Sequence, residues 1–271
     1  MEQTYQLDRK SELLSRAEVW LLLLPVAASA FVGLFQLLLP GLLAKLTGYS
    51  GNDVIAYWLS GAATFGYAGA LSLALRQQRW SAIRLIVIAF FTFGIGSLYA
   101  CAVDIIGGAA KPVVYAVLAL TLLFVAITGT LLYWHRTESK GRPDTARWLA
   151  AFLVIATILA ATFGLLPLLF PGLGTTLFHL KGTDVFIFRQ AGAASLGYAV
   201  MGVFELRSRN WQELRWPLVM GGTFNALSFL VSVVSLATGG PLLLSLLVML
   251  ATFGVTVAII AALRRQGRQS K

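Results

Sequence analysis

A lone arginine interrupts a long apolar segment in the second half of the chain. The stretch GTDVFIFRQAGAASLGYA, residues 182–199, opens beside the acid Asp184 and carries Arg189 five residues further on. A charged side chain inside an apolar helix is costly, and such residues usually pair with an opposite charge and mark a ligand or ion pathway. Arg189 is therefore the first candidate for binding chemistry, and an anionic group is what it would attract.

Acids that could accompany Arg189 stand near the ends of three apolar segments. Asp184 is poorly placed, because five residues at 3.6 per turn put it on a different face of the same helix. Asp104 and Asp53 are better candidates, and we predict a polar cluster at the outer ends of the helices. Its ligand-binding residues are Arg189, Asp53, Asp104, Asp184 and Gln190. The alternative is an arginine that reaches back to the headgroups and sets helix depth, with acids that only favour helix N-termini.

Residues for other chemistry are missing from the sequence. There is no H-E-x-x-H, Walker A, CxxC or G-x-S-x-G pattern. The single cysteine, Cys101, excludes an internal disulfide and is not a metal site. We therefore predict no catalytic residue, no metal and no cofactor. An enzyme is not expected, although a membrane enzyme that uses the outer acids is a third alternative.

The elements that position these residues are membrane helices. The chain is 58% apolar and only 12% charged, with a mean hydropathy of +0.80, whereas soluble domains contain about 25% charged residues. A bilayer core requires roughly 20 apolar residues per helix. We predict an all-α, polytopic fold with eight transmembrane helices, at residues 19–40, 54–75, 85–103, 112–134, 148–170, 185–204, 217–237 and 241–263. The first run resembles a signal peptide at AASA, but its full spanning length predicts that it is retained.

The distribution of basic residues predicts orientation. With the N-terminus inside, 17 of the 21 lysines and arginines fall on the inner side, and only Lys45, Lys111, Lys181 and Arg189 fall elsewhere. Basic excess marks the cytoplasmic side, so both termini are predicted to be cytoplasmic in the cell membrane. The net charge of +10 is then explained by topology and by anionic lipid headgroups as partners. No nucleic acid is needed.

The chain is predicted to contain a duplicated four-helix unit. Shifting the sequence by 131 residues aligns residues 53–80 with 184–211, with 11 identities in 28 positions and with Trp58 at the position of Arg189. An even number of helices per unit predicts two repeats in the same orientation. The predicted division is 1–17 as a cytoplasmic segment, 18–135 as repeat 1, 136–146 as a cytoplasmic linker, 147–263 as repeat 2 and 264–271 as a basic tail. The outer connections after residues 40 and 171 are predicted to hold a short helix each.

Small residues at matching positions predict close helix contact. Ala62, Gly66 and Ala70 recur every four residues, and Ala193 and Gly197 repeat the pattern. Such faces let two membrane helices approach closely. We expect the second and sixth helices to be central and to face each other.

Four further polar residues have structural interpretations. Tyr67 and Tyr198 occupy matching positions and are expected to make structural hydroxyl bonds, with the lining of a cavity as the alternative. Asn225 is expected to form an interhelical hydrogen bond. Glu205 is expected to reach the inner surface together with Arg207 and its neighbour at position 209.

Two functional classes follow. The first is a non-enzymatic binding protein or permease for a small anionic or lipid-like molecule held between the two repeats. The alternative is a structural or assembly subunit of a membrane protein complex, whose partner is another membrane protein. A binding protein predicts a cavity, whereas a subunit predicts a solidly packed bundle.

Overall fold

The fold is all-helical. The computed structural model describes residues 13–135, 146–208 and 210–269, without the side chains of 266–269. It contains ten helices in these ranges: α1 (Arg16–Leu38), α2 (Pro40–Thr47), α3 (Val54–Leu75), α4 (Trp80–Ile106), α5 (Pro112–Trp134), α6 (Arg147–Leu169), α7 (Pro171–Leu177), α8 (Val185–Ser208), α9 (Trp211–Ala237) and α10 (Leu242–Gln269).

Seven of the described helices are long and apolar enough to cross a membrane, which indicates a multi-pass membrane protein. Each of the eight predicted runs corresponds to one long helix. The exception to the apolar criterion is α8, which carries Arg189, Gln190 and Glu205. Other helices surround α8, so most of its residues do not need to face lipid. Its polarity is therefore compatible with a place inside the bundle.

Local sequence signals explain several helix starts. Ser15 caps α1, and its side chain and that of Glu18 form a reciprocal capping box. Proline occupies the first turn of α2, α5 and α7, where the missing N–H leaves no hydrogen bond unmade. The short helices α2 and α7 are those predicted in the outer connections. We call the end of the bundle that carries α2 and α7 the outer end.

The two halves of the chain repeat their helix starts. Four helices of the first half, α1 to α4, start 131 residues before α6 to α9, respectively. The first two long helices of each half, α1 with α3 and α6 with α8, pack closely at glycines. A Cβ at Gly61 would lie 2.9 Å from the Gly33 carbonyl oxygen, and one at Gly192 would lie 2.6 Å from that of Gly164. Matching positions therefore make matching contacts.

The third long helix of each half packs mainly against the other half. Helix α4 lies along α8, and α9 lies along α3. The helices α3 and α8 also contact each other, as their small residues predict. The main core forms where these four helices meet and includes Ile83, Ile86 and Met220. The folded unit is thus shared between the two halves of the sequence, an exchange that the repeat alone did not predict.

The predicted segment boundaries fall partly outside the described residues. This applies to residues 1–12, to 136–145 of the linker and to the last two residues of the tail. Near the N-terminus, Leu13 forms an isolated β-bridge with Arg79, and α1 begins at Arg16. At the other end α10 continues to Gln269, so the start of the predicted tail belongs to a helix. The division into domains stays a prediction.

Candidate functional site

Two tyrosines join the halves at the centre of the bundle. The Tyr67 hydroxyl donates to the Ala194 carbonyl at 2.8 Å, and the Tyr198 hydroxyl donates to the Ala63 carbonyl at 2.9 Å. Their rings meet edge to face with centroids 4.9 Å apart. The expected structural hydroxyl bonds are confirmed, and each connects one half of the chain to the other. Tyr198 also borders the cavity described below.

Two acids clasp the opposite halves together at the outer end. The Asp53 carboxylate accepts hydrogen bonds from the backbone N–H groups of Lys181 and Gly182, both at 2.8 Å. The Asp184 carboxylate accepts from those of Ser50 and Gly51, also at 2.8 Å. Both glycines have φ of +67°, a left-handed conformation that other residues rarely adopt. We call this reciprocal arrangement the outer clasp.

The outer clasp corrects the helix-start interpretation of the acids. Asp53 stands at the N-cap position of α3, but its side chain makes no capping hydrogen bond. The side chains instead reach across to the other half. Asp184 makes two further bonds, from the Tyr57 hydroxyl at 2.9 Å and from the Ser50 hydroxyl at 3.0 Å. Asp53 and Asp184 are 5% and 1% exposed, so these bonds are almost fully shielded from water.

Arg189 pairs with Asp104, one of the two partners that the sequence predicted, while the other, Asp53, belongs to the outer clasp. The guanidinium Nη1 lies 2.6 Å from a carboxylate oxygen of Asp104, and the two side chains are 16% and 6% exposed. This pair joins α8 to the outer end of α4. The arginine therefore points into the bundle at α4 and does not extend to the surface. Its Nε atom is buried and has no hydrogen-bond partner among the described residues.

Gln190 and Tyr49 complete the polar surroundings. The Gln190 side-chain oxygen accepts from the Ser97 hydroxyl at 2.9 Å, while its nitrogen has no partner in the part of the chain that the structure describes. The Tyr49 ring stacks on Phe186, and its buried hydroxyl bonds to none of the described residues. Burial, with Asp104 and Asp184 nearby, raises the pKa of the Tyr49 phenol. The five predicted residues thus divide among the outer clasp, the Arg189–Asp104 pair and the Gln190–Ser97 bond, and their ligand-binding role stays a prediction.

The matching positions of the other half carry no charge pair. Trp58 corresponds to Arg189, and Ser235 corresponds to Asp104. Trp58 and Ser235 border the same surface depression at the outer end. The two halves therefore carry different side-chain chemistry at these corresponding positions.

A cavity of about 200 Å³ lies within the second half of the bundle. It is partly open and is bordered by α6, α8, α9 and α10, together with Ala56 and Leu59 of α3. Most of its surface is apolar. Helices α6 and α10 stand on either side and make few contacts with each other. The space is large enough for a small apolar group, since an engineered apolar cavity of about 150 Å³ binds benzene.

Gly221 helps to explain why this space is present in the second half, whereas Gly202 lets Thr157 of α6 pack closely against α8. Gly221 and Gly202 line the cavity, and the matching residues of the first half are Phe90 and Leu71. Both of these larger side chains are buried in the core, at 4% and 0% exposure. A Cβ at Gly221 would meet Ile259 at an ordinary distance of 3.5 Å, so the backbone there leaves room for a side chain.

Glu205 lines the cavity, contrary to its expected place at the inner surface. It is 4% exposed, and no hydrogen bond or ion pair to it occurs among the described residues. Arg207 lies over the Phe204 ring instead, and position 209 is outside the described residues. The sequence contained a signal for this role: the matching residue of the first half is Ala74, so the acid is particular to the second half.

Five other polar side chains border the cavity: Thr157, Ser195, Tyr198, Asn225 and Thr252. The Thr157 hydroxyl is buried, and no described residue forms a hydrogen bond with it. The Asn225 side-chain nitrogen donates to the Gly221 carbonyl at 2.7 Å, one turn earlier in the same helix. The expected interhelical bond of Asn225 is therefore wrong, because its own helix supplies the acceptor. Apart from these few groups, the lining consists of hydrocarbon.

Comparison with known proteins adds no relative: no family model, curated protein or solved structure matches this chain. Among the described residues no group of three or more potential metal ligands occurs. The class of protein that the structure defines is an all-helical, multi-pass membrane protein with an apolar cavity in its second half.

Proposed function

We propose that this protein binds a lipid-like molecule within the bilayer, as a non-enzymatic binding protein or permease. The observation that carries this proposal is the partly open apolar cavity bordered by α6, α8, α9 and α10. Ligand pockets are typically concave and mostly apolar, with a few polar groups that fix orientation. The cavity is below the usual range of about 300–1,000 Å³, so it fits one apolar portion of a ligand whose remainder extends towards the lipid.

The lining favours a lipid-like ligand over the anionic one. Arg189 does not border the cavity, and its charge is already paired with Asp104. The acid that does border the cavity, Glu205, offers an anion no attraction. The outer clasp and the Arg189–Asp104 pair serve instead to hold the two halves in register.

The proposed architecture is two four-helix repeats in the same orientation in the cell membrane, with both termini on the cytoplasmic side. The recurrence of four helix starts after 131 residues supports the duplication. The reciprocal bonds of Tyr67 and Tyr198 support an axis of approximate twofold symmetry between the halves. The first half retains its large core side chains, and the second half has become the binding half.

The test compares two glycine-to-phenylalanine variants. Gly221→Phe introduces into the cavity the residue type that occupies the corresponding position of the first half, Phe90. Gly254→Phe is the matched control, because Gly254 is exposed on α10, outside the cavity lining, with nothing near its added Cβ. Each protein is released gently from its membrane and analysed by native mass spectrometry.

The proposal expects a bound apolar or amphipathic molecule on the unaltered protein and on Gly254→Phe. Gly221→Phe should lose it while remaining folded. Equal retention by both variants would place the molecule elsewhere and contradict the proposal. A co-purifying protein chain with no small molecule would favour the alternative, a structural subunit of a membrane complex.

A further inference from the structure

The carboxyl group of Glu205 is the most unusual chemical feature of the cavity. Its side chain is almost fully buried and borders the space, and no described residue donates to it. Tyr198, Met201 and Gly202 precede it on the same face of α8 and also border the cavity. Glu205 thus belongs to a continuous lining face, and its carboxyl group is an acceptor without a donor.

No lysine, arginine or histidine occurs among the described residues that line the cavity. The lining is instead rich in aromatic rings: Phe152, Phe163, Phe178, Phe188, Tyr198 and Phe224. Aromatic faces attract cations through the ring quadrupole, most strongly where water is excluded. An acid and several rings around one space are both suited to a positive group.

We propose that the cavity binds a cationic amphiphile, with the ligand's ammonium group at Glu205 and its apolar body among the rings. This inference rests on the proposed function and names the ligand class of the same cavity. An anionic ligand would meet an acid with no basic residue beside it. A neutral ligand would make no use of the acid's charge, because an unpaired carboxyl group in an apolar space is tolerated only in its protonated form.

A cationic ligand would supply the hydrogen-bond donor and the positive charge that no described residue supplies to Glu205. An ammonium group donates charge-assisted hydrogen bonds to a carboxylate, roughly twice as strong as bonds between neutral groups. The Thr157 hydroxyl, also buried without a partner among the described residues, offers a second polar contact across from α8. The first half cannot bind such a ligand in the same way, because Ala74 stands at the position of Glu205.

The experiment uses three small probes that share one alkyl chain and differ only in the headgroup: hexylamine, hexanol and hexanoate. Each is titrated into the purified full-length protein in one detergent, and affinity is read from the concentration dependence of thermal stabilisation. The variants are Glu205→Gln, which keeps size and removes charge, and Gly221→Phe. The matched control is Glu18→Gln, an acid on α1 that pairs with His135 away from the cavity.

We expect the unaltered protein and Glu18→Gln to bind hexylamine more tightly than hexanol, and hexanoate least. Glu205→Gln should weaken the binding of hexylamine by about tenfold or more and leave the binding of hexanol nearly unchanged. Gly221→Phe should weaken both. If hexylamine and hexanol bind equally well, or if Glu205→Gln leaves the preference intact, the cationic inference is wrong while the apolar site stands. If no probe binds in a way that Gly221→Phe removes, both proposals fail.

Discussion

The geometry of the outer clasp predicts that alanine substitutions of its two acids, which occupy matching positions, lower the unfolding free energy by different amounts. Asp53 accepts two backbone hydrogen bonds, whereas Asp184 accepts two backbone bonds and the hydroxyls of Ser50 and buried Tyr57. The Ser50 hydroxyl also bonds the Thr183 hydroxyl and keeps that partner. Truncation to alanine therefore leaves two donors of Asp53 and three of Asp184 without a partner. At about 1.5 kcal/mol for each orphaned donor, Asp53→Ala should cost about 3 kcal/mol and Asp184→Ala about 4.5 kcal/mol of unfolding free energy.

The additional cost of Asp184→Ala should come from Tyr57. In a Tyr57→Phe background the third donor is absent, so the two alanine variants should become nearly equal. The assay is thermal unfolding in one detergent, followed by intrinsic tryptophan fluorescence. Equal losses in the unaltered background would refute the reasoning. So would a difference that persists in the Tyr57→Phe background, because it would then have another origin.

Two further predictions concern the joined halves. Arg189→Trp should lower the unfolding free energy by about 3 kcal/mol or more, because it leaves Asp104 buried and unpaired. Adding Asp104→Ser reproduces the tryptophan and serine of the other half and should restore most of that loss. Thermal unfolding that shows no recovery in the double variant would contradict this. Tyr67→Phe and Tyr198→Phe should lower the unfolding free energy by similar amounts, about 1 kcal/mol each. A large difference between them in the same assay would show that the two bonds are not equivalent.

Much of the helical architecture could be predicted from the sequence. Spanning helices require long apolar runs, and each of the eight runs corresponds to one long helix. The short helices α2 and α7 followed from leucine-rich outer connections with proline at their start. The sequence narrowed the partner of Arg189 to Asp104 or Asp53, because both acids stand at outer helix ends and a buried charge needs a counter-charge, and Asp104 is the one that pairs with it.

The outer clasp could not be predicted, because its donors are backbone N–H groups. Nothing in the side-chain pattern shows that Asp53 reaches residues near 181 or that Asp184 reaches residues near 50. A first-turn acid is typical of a helix start, and the sequence contains no sign that the carboxylate turns away. The exchange of α4 and α9 between the halves was hidden for a similar reason, since apolar faces specify no particular neighbour.

The cavity depends on absent side chains, which periodicity does not reveal. Gly221 and Gly202 read as ordinary membrane-helix glycines until they are compared with Phe90 and Leu71. Glu205 was misplaced because an acid near arginines at a helix end usually pairs with them. The direction of its side chain is set by the rotation of α8, which the Tyr198 bond and the outer clasp hold in place.

Photolabelling in intact membranes tests the central claim most directly. A lipid with a photoreactive diazirine in its acyl chain is incorporated into the bilayer, and the labelled positions are mapped by peptide mass spectrometry. A lipid-binding cavity predicts labels on buried lining residues such as Phe188 and Tyr198, and their loss in Gly221→Phe but not in Gly254→Phe. Labels confined to the exposed faces of the helices, with the same pattern in all three proteins, would contradict it.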